Sequence, residues 1–319
     1  MRPAVATSTV ALVLLAATAC SGSPDLGAAE ADLAGVDGVV DADAAWFDGS
    51  LKVADAAAVS VAAGADLAEA DVEQLAQELI TTVDGLGWEV EPNLAVELDD
   101  DADAVPFLSH FPGDDNAPPP TDISTYTVHA ANLDERDLED DLRFLLHAAT
   151  VLEAPAQVAF TDEDVLEAAA DVTTPAGDLT AVLERLVEDP LLSRPVRWRI
   201  SGPDLLLESS AGLTPADVAL WDRIASGSES LGGLARTRVD LAVEADRRLT
   251  VVRVTLRADG PASAGTRAVT EPARALSQRL DRLGVDQVDV VVEGSDEALV
   301  RAFFEGGEGR PWEPYDALE

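Results

Sequence analysis

The segment from Thr237 to Arg257, TRVDLAVEADRRLTVVRVTLR, shows the fold of this chain most clearly. In residues 237–244 and 252–257, Val and Leu alternate with charged residues, and Asp246-Arg247 separates the two runs. Alternation with a period of two places all apolar side chains on one face of a strand. The segment therefore predicts a β-hairpin with one buried face and one charged, solvated face.

This hairpin lies within a longer pattern. Thr214-Pro215 is typical of an N-cap followed by proline at the first helical position, and predicts a helix that ends near Ala225. After the hairpin, leucines 276, 280 and 283 have helical spacing, and 285–292 alternates again as a strand. The order from 214 to 293 is helix, strand, strand, helix, strand.

Similar orders recur towards the N-terminus. There the patterns predict strands over 36–47 and 51–62, a helix over 66–83 and a strand over 88–98. The middle of the chain is less regular, with helical spacing over 138–152 and 179–186. Short strands are predicted over 158–161, 196–200 and 205–208. We therefore predict an α+β fold of repeated small modules, each an antiparallel sheet with helices packed on one face, in strand-strand-helix-strand units.

Composition suggests where these modules begin and end. The sequence between 99 and 121 is acidic and rich in proline, which is typical of a stiff, extended linker. The predicted organisation is a signal peptide (1–19), a tether (20–34), a first unit (35–98), the linker (99–121), a middle unit (122–212), a C-terminal unit (213–305) and a flexible tail (306–319).

The N-terminus has the pattern of an export signal. Met1-Arg2 precedes a short apolar run, and Ala17-Thr18-Ala19 leads to Cys20, which is the only cysteine. This resembles the lipobox of bacterial lipoproteins. The resemblance implies that residues 1–19 are removed, that the Cys20 thiol is lipidated, and that the protein is held at the extracytoplasmic face of the cell membrane. The alternative is an ordinary secretory signal with a chance cysteine.

The body of the chain resembles BON-type and other ferredoxin-like modules of bacterial envelope proteins. The resemblance rests on Val36-Asp37-Gly38-Val39, on the hairpin predicted after it and on the order of elements. It implies binding at the envelope without catalysis.

Charge excludes some partners. The formal net charge is -40, which argues against nucleic acid, because binding to phosphates requires Lys and Arg. The charge is also uneven, since Lys52 is the only basic residue between Ser21 and Glu135. No second cysteine is present to form a disulfide, so the fold depends on its apolar core or on bound metal.

Motifs for catalysis are absent from the sequence. The three histidines, His110, His129 and His147, fall on different predicted elements, without the spacing of a zinc site. Neither a nucleophile elbow nor a phosphate-binding loop occurs. We therefore predict a protein that is not an enzyme and needs no cofactor.

Two weak binding candidates remain. Asp99, Asp101 and Asp103 have the spacing of a calcium loop, but Ala104 and His110 stand where that loop needs Gly and Glu. A looser calcium site could include Asp114 and Asp115, and the alternative is a solvated acidic loop. The second candidate is an anion or partner patch on the charged face of the hairpin, and the alternative is pairing with neighbouring acids. Its members are Arg238, Arg253 and Arg257.

Together these patterns predict a lipid-anchored envelope protein that binds or scaffolds another envelope protein. The alternatives are a substrate-capture subunit of an importer, a secreted hydrolase, and a cation-responsive acidic module.

The lipid anchor gives a direct prediction. Replacement Cys20→Ser removes the thiol that would carry the acyl chains, so the protein should move from the membrane fraction to the soluble fraction. Fractionation of cells followed by immunoblotting measures this. Retention of the variant in the membrane fraction would contradict a lipid anchor at Cys20.

Overall fold

The computed structural model describes thirteen segments of the chain. These are residues 25–47, 56–64, 67–86, 93–98, 123–129, 136–160, 165–210, 212–227, 230–231, 234–244, 249–258, 267–294 and 299–305.

The described segments form helices and strands in regular alternation. The helices are α1 (Leu26–Leu33), α2 (Glu69–Leu86), α3 (Leu138–Leu152), α4 (Leu179–Glu188), α5 (Pro215–Gly227) and α6 (Arg267–Asp281). The strands are β1 (Val39–Phe47), β2 (Ala56–Ala63), β3 (Asn93–Leu98), β4 (Ser124–His129), β5 (Ala156–Phe160), β6 (Leu166–Asp171), β7 (Arg197–Gly202), β8 (Leu205–Ser209), β9 (Ser230–Leu231), β10 (Leu234–Glu244), β11 (Leu249–Arg257), β12 (Gln287–Glu293) and β13 (Leu299–Glu305).

All of these strands belong to one 13-stranded sheet, in which strands lie side by side in chain order. The short β9 is the exception, since it pairs only with β10 beside the main path. The sequence patterns left open whether the three predicted units form one sheet or several, and their strands form one continuous α+β layer. Strands β3 and β4, which flank the predicted linker 99–121, are antiparallel neighbours.

The prediction of antiparallel sheets is correct for the hairpins and wrong for the other strand pairs. Neighbouring strands that no helix separates in the chain, such as β10 and β11, pair antiparallel. Strands joined through a helix, such as β11 and β12, are parallel. The reason is that a helix returns the chain to the end of the sheet where the previous strand began. The repeating element is therefore a helix followed by an antiparallel strand pair.

One face of the sheet carries the main core, and in β2 and β3 the opposite face is buried as well, at positions such as Ser60 and Glu97. In β5, β6 and β8, buried and half-buried residues alternate with a period of two. Register aligns the buried members across strands, for example Val158 with Ala168, and Ala168 with Trp198. The same alignment joins Val239 to Val254 and Val254 to Val290. These residues form a single apolar cluster with the buried faces of the helices.

All six helices cover this same face. Helices α1 to α5 contact one another in sequence, and Leu276 and Leu280 of α6 join the same apolar cluster. Every hairpin reverses the strand direction, so successive helix-bridged strand pairs run in opposite directions. With the helices on one face, successive crossovers must then alternate in hand. Left-handed crossovers are rare in proteins, so either two or three of the five helix crossovers in the described segments have the unusual hand.

The predicted tether contains a helix that the sequence analysis missed. Helix α1 begins after Asp25, whose side chain accepts a hydrogen bond from the Ala28 N–H, and it buries Ala29 and Leu33. Gly38 then turns the chain into β1 with a φ of +86°, and a Cβ there would meet the end of the Leu67 side chain. The positive φ favours glycine at this turn.

Several sequence predictions are confirmed. The hairpin of the opening segment is β10 and β11, with Leu241 opposite Val252. At the start of α5, the Thr214 N–H donates to Asp217 Oδ2 (2.9 Å) and the Asp217 N–H donates to Thr214 Oγ1 (3.3 Å). This reciprocal capping explains why the helix begins at this point.

A buried ion cluster ties neighbouring units together under the helices. Asp141 of α3 is 0% exposed. Its carboxylate accepts hydrogen bonds from the hydroxyl of Tyr126 on β4 (2.9 Å) and from two arginines. Arg136 donates from Nε (3.0 Å) and Nη2 (2.5 Å), and Arg194 donates from Nη2 (2.8 Å). Burial raises the pKa of Tyr126, as does the adjacent carboxylate, which keeps the hydroxyl protonated as a donor.

The arginines of this cluster also stack on aromatic rings. The Arg136 guanidinium lies 4.4 Å from the centroid of the Phe160 ring, and that of Arg194 lies 4.7 Å from the Phe144 centroid. Arg194 comes from the segment between α4 and β7. The cluster therefore joins β4, α3 and the start of β7 through one carboxylate.

Removal of this carboxylate should destabilise the protein strongly. Asp141→Asn leaves two guanidiniums without their counter-charge, and loss of one partner from a buried pair costs about 3–5 kcal/mol. The lower end is expected, since the two arginine side chains are 22% and 24% exposed. Urea denaturation followed by circular dichroism measures the change.

The matched control is Asp140→Asn, one residue earlier in the same first helical turn. It should lose only the interaction of its charge with the helix dipole, about 0.3–1 kcal/mol. Equal losses for the two variants would show that the buried cluster has no special role.

Edge strand β1 carries a second electrostatic feature. Asp43 is half-buried, and its pKa is raised by burial first and then by the charges of Glu30 and Asp41. Acidic residues on an edge strand discourage pairing with another chain. This protection has a cost, because burial and the charges of Glu30 and Asp41 disfavour the ionised form of Asp43.

Asp43→Asn should therefore stabilise the protein at pH 7. A carboxyl whose pKa is raised by folding destabilises the native state when ionised, and this penalty disappears as pH falls through the folded pKa. A small rise in Tm is expected at pH 7, and no difference from the wild type is expected below about pH 4, where an ordinary Asp is protonated. Thermal melts across this range test it, with exposed Asp37→Asn as the control. A lower Tm for Asp43→Asn at pH 7 would contradict the claim that the Asp43 charge destabilises the folded protein.

Candidate functional site: the open face of the sheet

The face of the sheet opposite the helices carries the candidate site. From β4 to β10 this face is a trough with a volume of about 640 Å³. Two rows of side chains that cross the strands form it. The first row, in register, is Thr125, Gln157, Ala169, Arg199, Glu208 and Ala242.

The second row lies one side-chain repeat further along the strands. Thr127, Ala159, Glu167 and Arg197 follow one another in register, and Ser210 and Glu244 complete the lining. The trough crosses six adjacent strands, which at about 4.8 Å per strand gives a length of about 24 Å. Its long axis is therefore perpendicular to the strands.

At three positions, distributed over both rows, the floor of the trough consists of alanine side chains. Ala159, Ala169 and Ala242 are all half-buried. Because alanine ends at Cβ, these positions leave space above the sheet that larger side chains would fill. In the first row Arg199 and Glu208 separate Ala169 from Ala242, so small apolar positions and charged groups alternate along the trough.

Two arginines of β7 lie at the centre of the trough, each against a glutamate of a neighbouring strand. Arg197 Nη1 lies 3.0 Å from Glu167 Oε1, and Arg199 Nε lies 3.7 Å from Glu208 Oε1. Arg199 is the more accessible, with 67% of its side chain exposed. Exposed pairs of this kind stabilise the fold little, about 0–1 kcal/mol each, so their rearrangement on binding is inexpensive.

The predicted arginine patch lies on the same open face, beyond the trough. Arg238 Nε lies 2.7 Å from Asp240 Oδ1, Arg253 Nε lies 2.8 Å from Asp289 Oδ2, and Arg257 Nη2 lies 3.4 Å from Glu293 Oε2. The structure thus brings the three arginines onto one face, as predicted, and pairs each with a carboxylate. Binding of an anion there stays a prediction.

Charge on this face contrasts with the rest of the protein. Each of these arginines of β7, β10 and β11 is balanced by a carboxylate, whereas the whole chain carries a net charge of -40. Another molecule can therefore approach the open face from β6 to β12 with little electrostatic repulsion.

The other predicted site residues lie outside the described residues. These are Cys20 and the calcium candidates Asp99, Asp101, Asp103, Asp114 and Asp115. Within the described segments, no group of three or more His, Cys, Asp or Glu side chains is placed to hold a metal ion. The helices of those segments include none that is both long and apolar enough to cross a membrane.

Most of the trough residues were not singled out by the sequence analysis. The only sign of the trough in the sequence is the pattern of strand β7. There Arg197 and Arg199 alternate with the apolar Val196, Trp198 and Ile200, which predicts a charged outer face. Which residues of neighbouring strands lie side by side depends on the register between the strands, and the sequence pattern of a single strand does not reveal that register.

No family matches this chain. Comparison with known proteins finds no family model that fits the sequence and no curated protein with significant similarity to it. Function is therefore argued from the site alone.

Proposed function

We propose that this is a lipid-anchored bacterial envelope protein with a non-catalytic binding or scaffolding role, and that the open face of its sheet holds the partner. The trough across β4 to β10 carries this proposal, because it is a concave surface on which small apolar side chains alternate with paired charges. Non-obligate protein interfaces are about as polar as the rest of a protein surface, so paired charges at the centre are compatible with binding of a protein.

A lipid at Cys20 would be connected to the chain near the edge of the sheet that is remote from the trough. Helix α1 begins at Leu26, so lipidated Cys20 would be at most about 20 Å of extended chain from it. Helix α1 packs on β1, at the opposite end of the sheet from β13. The trough starts three strands away from β1, about 14 Å along the sheet. A lipid at Cys20 would then tie down the β1 edge and leave the trough accessible to a partner.

The proposal includes a repeated origin for the fold. The units predicted at 35–98, 122–212 and 213–305 each contain strand-strand-helix-strand sequences, as BON-type modules do by the resemblance stated above. Repetition of one unit would account for the regular order of helices and strand pairs, because each added unit covers its apolar face against its neighbour.

The geometry favours a scaffold over an importer subunit. A substrate-capture subunit needs two lobes around a cleft, whereas the strands in the described residues form one sheet. The trough is also lined mainly by alanine, threonine and charged side chains, and Trp198, the aromatic residue among its described lining residues, is only 2% exposed and offers little ring surface to cover a small ligand.

Partner capture from cells tests the proposed surface. Ala169→Trp fills the centre of the trough, and Ala181→Trp places the same side chain on an exposed position of α4 in the helix layer. After chemical crosslinking and affinity purification, we expect the main envelope protein recovered with the wild type to fall at least tenfold with Ala169→Trp. Its recovery should be unchanged with Ala181→Trp. Equal recovery with all three proteins would overturn the proposed binding face.

A further inference from the structure

We infer that edge strand β13 pairs with the same strand of a second copy of this chain, antiparallel and about a twofold axis. The order of strands ends at β1 on one side of the sheet and at β13 on the other. All seven residues of β13 pair with β12 in unbroken register. In the sheet that the described residues form, β13 thus has a neighbour on the β12 side only. The free edge of a strand is a template for pairing with another strand.

The opposite edge of the sheet is protected against such pairing. Helix α1 packs on β1, and Glu30 Oε1 of this helix accepts a hydrogen bond from the Ala44 N–H of β1 (3.2 Å). Two of the nine residues of β1 are aspartates, which discourage pairing with another strand. The seven residues of β13 include only two charges, and these are opposite in sign, on Arg301 and Glu305. Of the two edges, β13 is therefore the one suited to strand addition.

Charge along the sheet also favours contact at β13. Because the strands lie in chain order, the uneven charge of the sequence becomes a gradient along the sheet. Residues 35–98 include 14 acidic residues and one basic residue, whereas residues 213–305 include 15 acidic and 12 basic residues. Two copies that approach with their β13 ends therefore repel each other less than copies that approach with their β1 ends.

Symmetry restricts the register of such a pair. Neighbouring residues of a strand direct their backbone N–H and C=O groups to opposite sides, so a twofold antiparallel pair must be centred on one residue. Ala302 is the central residue of β13, and a centre there pairs all seven residues. Ala302 then lies opposite its own copy, and Arg301 lies opposite position 303 of the second copy.

The consequence for the proposed function is a doubled binding face. The twofold axis of an antiparallel edge pair is perpendicular to the sheet, so both helix layers lie on one side and both troughs on the other. Strands β10 of the two copies would be seven strand spacings apart, about 34 Å. A partner with two contact surfaces could then bind both troughs at once and gain affinity through avidity.

Disulfide formation tests the pairing and its register. The background is the full chain with Cys20→Ser, which leaves no cysteine. With Ala302→Cys added, the two thiols lie opposite each other at a Cα separation of about 4.5–5.5 Å, which a disulfide accepts. The matched control is Val300→Cys on the same strand, where the two Cα atoms would be about 14 Å apart. After mild oxidation, Ala302→Cys should give at least tenfold more covalent dimer than Val300→Cys on a non-reducing gel.

Charge at position 303 tests the interface without oxidation. Phe303→Glu would place a carboxylate opposite Arg301 of the second copy, twice by symmetry, and Phe303→Arg would place like charges there. Analytical ultracentrifugation should give a dimer Kd at least fivefold higher for Phe303→Arg than for Phe303→Glu. Net charge alone predicts the reverse order, because Glu adds to the charge of -40. So does the monomer, in which position 303 is in register with Asp289.

Three outcomes would overturn the inference. A chain that stays monomeric up to about 100 μM and forms no covalent dimer through Ala302→Cys does not pair at β13. Equal disulfide formation at positions 300 and 302 would reflect random collision. A dimer that Phe303→Glu weakens more than Phe303→Arg does would have its interface elsewhere. Circular dichroism verifies folding, and the cysteine test decides alone if a charge at position 303 prevents folding.

Discussion

The structure depends on burial of one face of a long sheet. The alternation of apolar and charged residues gives each strand one side that must leave water, and a sheet face this long needs a continuous cover. Each helix-and-hairpin unit supplies two strands and one helix, so each unit brings the helix that covers its own part of the sheet. The opposite face receives no helix from the described segments. Its polar and alanine residues are half-buried or exposed from β5 to β10, and binding can take place there.

The ion cluster around Asp141 contributes specificity to this layer. Apolar packing between similar units is tolerant, since Leu, Val and Ala recur in all of them. A single buried carboxylate that needs Tyr126, Arg136 and Arg194 together is satisfied in one arrangement only. The loss of stability when one member is removed is then much larger than the net stability that the whole cluster contributes. We therefore regard the cluster as a device that fixes which unit lies beside which.

Local patterns predicted local structure well. The hairpin of β10 and β11, the capped start of α5 and helix α3 follow from periodicity and capping residues alone. Helix α1 was missed because its eight residues are mainly alanine and acidic, without strong periodicity. Strand β6 was missed because alanines at 168 and 170 replace the larger residues that make alternation visible. Strands β4 and β13 contain larger apolar residues and were missed for another reason, since they lie beside segments dominated by acidic, proline and glycine residues.

Long-range arrangement was not contained in those patterns. For the units to form one sheet, the two strands joined by each helix must pair in parallel. With all helices on one face, successive crossovers then alternate in hand. A general preference for right-handed connections would have rejected that topology. The trough is also a product of register, because Gln157, Ala169 and Arg199 come from three strands that only the ladder aligns. The arginines Arg238, Arg253 and Arg257 could be placed on one face because they share a single hairpin.

The most direct test of the central claim is site-specific photocrosslinking in the native envelope. A photoreactive phenylalanine derivative at position 242, on the open face of β10, should form a covalent adduct with the partner protein. The same residue at the exposed position 219 of α5, in the helix layer, should form none. Adducts from position 219 without adducts from position 242 would contradict the account, because the partner would then bind the helices and not the open face of the sheet.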